Sequence, residues 1–142
     1  MLSSIARLLN ITEQQVTHHP DLLINAFDDE HRILFWNKNC EEYFGITSEQ
    51  ATGQILEHLL PSTRNNPKMK WLEKAFSGKT VLVADGKYDK KNARYSQIVL
   101  PLKDNEGNVI AVINLVRTLR AAKNTPYNEQ FFNAFKPFED NS

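Results

Sequence analysis

With one cysteine, Cys40, among 142 residues, an internal disulfide is excluded, and no Cys or His stands beside it at metal-ligand spacing. The residue reads as a small apolar side chain. Glycine is scarce too: five residues leave no glycine-rich loop to cradle a phosphate. Gly-x-Ser-x-Gly and His-Glu-x-x-His are absent, and no nucleophile or acid–base pair stands out, so no catalytic activity is expected. No apolar run approaches the roughly 18 residues that a membrane helix requires. The opening MLSSIARLLNITEQQ lacks the long apolar stretch and small-residue cleavage site of a signal peptide. The expectation is a cytoplasmic protein without a membrane partner. Charge of one sign is also missing, because 17 Lys and Arg balance 17 Asp and Glu, which argues against nucleic acid as a partner.

What is present is an ordinary globular composition, 41% hydrophobic and 24% charged, in a length that suits one core. Leu2, Ile5, Leu8 and Leu9 share one face of a short helix, which must dock on something to be stable. Thr12 with Gln15 has the form of a capping box, and Pro20 ends the helix that it starts. Leu22–Phe27 and Ile33–Trp36 are apolar runs around the polar turn 28–32, a predicted hairpin. Helical patterning follows from Asn37 to about Pro61, with stops at Gly45 and Gly53 and a cap at Thr47 or Ser48. Met69, Leu72, Ala75 and Phe76 line a further helix that stops at Gly78. Three β-rich runs complete the pattern, Val81–Ala84, Tyr95–Leu102 and Val109–Val116, the last two joined by the turn residues 103–108. The fold class is therefore α+β: a five-stranded antiparallel sheet in sequence order ββ, helices, βββ, with short helices on one face and an N-terminal helix added. Three segments are expected: a helical cap or dimerisation segment at 1–19, the domain at 20–120, and a linker with an aromatic tail at 121–142.

The stretch AFDDEHRILFWNKNCEEYFGITSEQATGQILEHLLP resembles the first half of a PAS domain, and EGNVIAVINLVRTLR resembles its last strand. The residues that recur in that family match as Asp28, Asn37, Gly45 and Gly53. Asn37 suits the cap of the helix starting at Lys38, and Gly45 suits a left-handed stop. His31 stands where the family usually has a glycine, and Thr118-Leu119-Arg120 replaces its closing Asp-Ile-Thr.

The resemblance implies a sensory module of the kind found in sensor histidine kinases and transcription regulators, with a kinase or other effector as partner. Flavin adduct photochemistry is not expected. The cysteine motif after the second helix is replaced by Gly53-Gln54-Ile55-Leu56, Cys40 lies one helix early, and Val116 takes the place of the flavin-contacting Gln. Haem is not expected either, since 68–77 holds no His and His58 stands alone. His18 and His19 read as a solvated helix end, with a pH switch as the competing reading.

Alternation in the last strand sets Ile110, Val112, Asn114 and Val116 on one face, against apolar helix residues including Leu56, Leu59, Leu60, Trp71 and Leu72. Such a lining suits a small apolar ligand with a polar handle. Asn114 is the polar residue of that lining, and Ser96 joins it if Ser96, Ile98, Leu100 and Leu102 face the same way. Lys87 and Arg94 at the strand ends are candidates for a carboxylate clamp. The ligand-binding set is thus Asn114, Ser96, Val112, Val116, Leu56 and Trp71. By the resemblance, Leu2, Ile5, Leu8 and Leu9 form a homodimer interface. The alternative is a ligand-free dimerisation module whose pocket is filled by its own Phe, Trp and Leu side chains.

Overall fold

The computed structural model describes residues 1–61, 70–88 and 93–119, without the side chains at 84–88, 93–94 and 118–119. Met69, the Lys87 and Arg94 side chains and the 121–142 tail lie outside these described residues. The elements are α1 (Leu2–Leu9), α2 (Glu13–Thr17), β1 (Leu23–Phe27), β2 (Ile33–Trp36), α3 (Lys38–Phe44), α4 (Ser48–Ala51), α5 (Leu56–Leu59), α6 (Lys70–Phe76), β3 (Val81–Tyr88), β4 (Ala93–Lys103) and β5 (Val109–Leu119). All five strands pair antiparallel in the order β2-β1-β5-β4-β3.

Local chemistry places the short helices. The Thr12 hydroxyl accepts from the Gln15 N–H (3.0 Å) and the Gln15 side chain accepts from the Thr12 N–H (2.8 Å), a full capping box. Thr47 and Gln50 repeat it for α4. Asn37 caps α3, which stops at Gly45 in the left-handed region (φ 68°), where a side chain is disfavoured. In the β4–β5 turn Asp104 accepts from the Glu106 and Asn108 N–H groups (2.9 Å each). Those bonds, that from Asn108 foremost, hold its carboxyl below the usual range.

The sheet separates two cores. On the inner face, under α3 to α6, lie Leu23, Phe27, Trp36, Cys40, Leu56, Leu72, Val99, Val112 and Val116. On the outer face Ile5, Ala6 and Val16 from α1 and α2 cover Ile24, Ala26, Ile98, Leu100, Ile113 and Leu115. The N-terminal helices are therefore the outer cover of the same chain. Ile5 is fully buried there.

Two strand assignments are corrected. Ile98, Leu100 and Leu102 belong to the outer core, so Ser96, in phase with them, faces outward; the inner residues of β4 are Tyr95, Gln97 and Val99. Ile110 leaves the inner face because Leu102 pairs with Ala111 but Lys103 with Val109, which makes Ile110 the extra residue of a bulge. Val109 takes the inner side in its place, and Ile110 is 51% exposed.

Candidate functional site

Among the described residues the inner face is largely apolar, but a strip of amides crosses it. Asn25 and Asn114 are directly opposed in the β1–β5 ladder, and Gln97 lies diagonally across β5 opposite Val116. Asn114 Nδ2 donates to Asn25 Oδ1 (2.9 Å), and Gln97 Nε2 donates to Asn114 Oδ1 (2.7 Å). Asn25 Nδ2 donates in turn to the Cys40 Sγ (3.7 Å), whose thiol reaches the Ile24 carbonyl (3.4 Å). A continuous polar chain thus runs from β4 through β5 and β1 to α3. Asn25, Gln97 and Asn114 are all buried, so each unmade bond would cost a desolvated group. Among the described residues Gln97 Oε1 accepts no hydrogen bond, which leaves the strip one open acceptor at its β4 end.

Apolar groups frame the strip. Val112 and Val116 flank Asn114 on β5, Leu56 is buried from α5, and Trp71 of α6 stands 6.1 Å from Phe27, ring centre to ring centre. Five of the six residues expected in the pocket, Asn114, Val112, Val116, Leu56 and Trp71, are brought to this face; Ser96 is not. Asn25 and Gln97 were missed. The signal for Asn25 was available as an amide in the apolar run 22–27, the same anomaly that singled out Asn114. Among the described residues the buried charged side chain is Arg117, in phase with Ile113 and Leu115 on the outer face.

Cys40 is fully buried, and desolvation pushes its thiol up to about 12, opposed by hydrogen bonds from Asn37 and Asn25. His58 is exposed, and among the described residues no three His, Cys, Asp or Glu side chains cluster as a metal site. His31, in the glycine's place, adopts the glycine's conformation (φ 65°), and its Nδ1 contacts Glu57 of α5. Of the four residues expected at an interface, Ile5 is consumed by the outer core, while Leu2, Leu8 and Leu9 are half-buried at its margin. No helix among the described residues is long and apolar enough to cross a membrane.

An antiparallel sheet ordered 2-1-5-4-3 with short helices across one face is an α+β domain of PAS-like architecture. Residues 16–124 match the family model described as the PAS fold, and the chain belongs to that family. Among solved structures it is similar to a sensory box sensor histidine kinase from Vibrio cholerae, with 15% identity and a TM-score of 0.62 over 83% of this chain and 95% of that one. The PAS domain of nitrogen regulation protein NR(II) from Vibrio parahaemolyticus gives 15% identity and 0.56 over 74% and 94%. The PAS domain of the histidine kinase ThkA gives 22% and 0.56 over 68% and 98%. No curated protein matches the sequence significantly.

Proposed function

We propose that the chain is a sensory PAS module of signal transduction that takes a small uncharged ligand against the inner face of its sheet. It then reports the event through self-association or contact with an effector such as a kinase. The observation that carries this reading is the amide strip Gln97–Asn114–Asn25 within a largely apolar face, with the Gln97 acceptor open. A core built for stability alone has little use for three buried amides. The ligand is taken to be neutral because the strip offers dipoles and no buried countercharge, and an ion there would remain uncompensated. No catalytic step belongs to this reading.

A second reading, a ligand-free pairing module, has its own support. Asn25 and Asn114 already find their partners within the chain, in each other, Cys40 and Gln97, and Phe27, Trp36, Phe44 and Trp71 pack on the same face. In that case the work of the domain is association, with Leu2, Leu8 and Leu9 as the α1 residues left partly free to take part.

Native mass spectrometry of the protein purified from cells, with an absorbance spectrum beside it, separates the two. The first reading expects an added mass on the folded chain that Gln97→Leu loses. A chain at its sequence mass overturns it, and a bare dimer at that mass favours the pairing module.

A further inference from the structure

At the joint between α2 and β1 an imidazole works beside two asparagine amides. His19 Nδ1 accepts hydrogen bonds from the backbone N–H of Asp21 (3.1 Å) and of Leu22 (3.1 Å), so the ring stands in for an acceptor at the point where the chain enters the sheet. Its carbonyl is taken by Asn39 Nδ2 of α3, which also donates to the Leu22 carbonyl (3.0 Å). Asn37 Nδ2 spans the same joint, from the Val16 carbonyl in α2 (3.1 Å) to that of Leu22 (3.0 Å).

An imidazole that accepts two N–H groups at Nδ1 must be neutral, with its proton on Nε2. A proton arriving at Nδ1 turns the acceptor into a donor facing two donors. The charged groups acting on the ring are Asp21, which favours the cation, and Arg117 of β5, which opposes it. Arg117 Nη2 and Asp21 Oδ2 are 3.9 Å apart, so part of the Asp21 charge is already answered. From α3 the contacting group is Asn39, which is uncharged.

We propose that His19 is a pH-sensitive latch: its neutral ring fastens the N-terminal cap (α1 and α2) at the entry to the sheet, and protonation at Nδ1 frees the cap from the outer face. The face so uncovered carries Ile24, Ala26, Ile98, Leu100, Ile113 and Leu115, an apolar surface that the closed form keeps from water. The proton affinity of His19 supports the geometry: it is lowered from 6.5 by burial first, with Asp21 opposing and Arg117 reinforcing. A histidine lowered in this way stabilises the closed form fully above its unfolded value, and that contribution is lost as pH falls through the folded one.

The test is hydrogen exchange of the full chain, corrected for intrinsic rates, between pH 7.5 and 5. Amides of residues 5–17 are expected to lose protection by up to about tenfold per pH unit below 6.5, the limit for uptake of one proton, while β5 stays protected. In His19→Asn the side chain still accepts from the N–H two residues on but does not titrate, so the same amides become pH-independent. Protection in the parent that does not change with pH, or a variant that loses it equally, overturns the latch. Should the variant fail to fold, the nitrogen shifts of His19 in the parent decide: an Nε2–H tautomer titrating below 6.5 supports the latch, and an Nδ1–H tautomer defeats it.

Discussion

Asn37 shows how much one amide can organise. Its Oδ1 accepts from the Ile24 N–H of β1 and the Cys40 N–H of α3 (3.1 Å each), while its Nδ2 reaches the carbonyls of Val16 and Leu22. Helix cap, sheet entry and N-terminal cap are thus tied at a site that is 1% exposed. Asn37→Ala removes a cap worth about 1 kcal/mol and strands a further buried N–H at a cost of roughly 1–3 kcal/mol. The expected loss is about 3 kcal/mol, read from a urea midpoint at unchanged slope. Asn39→Ala, in which Leu22 keeps the Asn37 donor, should cost roughly 1 kcal/mol. Equal losses in the two variants would show that Asn37 is only a cap. This residue was legible because a cap announces itself by type and position, Asn before a helical run. The four bonds it makes at once were not, since three of the partner groups lie at least a dozen residues away.

Among the elements, α1 carries the clearest division between what periodicity reveals and what it withholds. Leu2, Ile5, Leu8 and Leu9 mark an apolar face correctly, but a face does not name its occupant, and the chain's own outer sheet surface is that occupant for Ile5. Burial therefore ranks the residues. Ile5→Ala should cost roughly 3 kcal/mol through the cavity it leaves, and Leu9→Ala, at the margin, less than half as much by the same reasoning. Thermal unfolding of the two variants checks the order; equal losses would mean that α1 is loosely held. The phase of β4 was illegible for a related reason. Tyr95, Gln97 and Val99 are no less suited to a core than Ser96, Ile98 and Leu100, so alternation alone leaves the two faces interchangeable. Only the pairing of Val99 with Asn114, past the bulge at Ile110, decides it. A bulge adds one residue and reverses every face before it, and nothing in the run Val109–Val116 marks where it falls.

At the scale of the molecule, both sheet faces are covered by the chain itself, and the inner core keeps a hydrogen-bonded amide strip where hydrocarbon would fit. Local caps, turns and patterning all agree with the fold, so a polar strip inside it is the place where sequence and stability diverge. Asn114→Val alone leaves Asn25 Oδ1 without its donor and Gln97 Nε2 without its acceptor, a loss of roughly 2–4 kcal/mol. Removing the whole strip with Asn25→Val, Asn114→Val and Gln97→Leu leaves no orphaned amide and adds apolar contact, so the triple variant should lie within about 1 kcal/mol of the parent or above it. Denaturation curves of the single and triple variants measure this coupling directly. A triple variant as unstable as the sum of its single changes would make the strip part of the scaffold and weaken the case for a ligand. A triple variant that regains stability while losing the mass bound by the parent would place the strip in recognition, because a polar core that the fold does not need is kept for what it contacts.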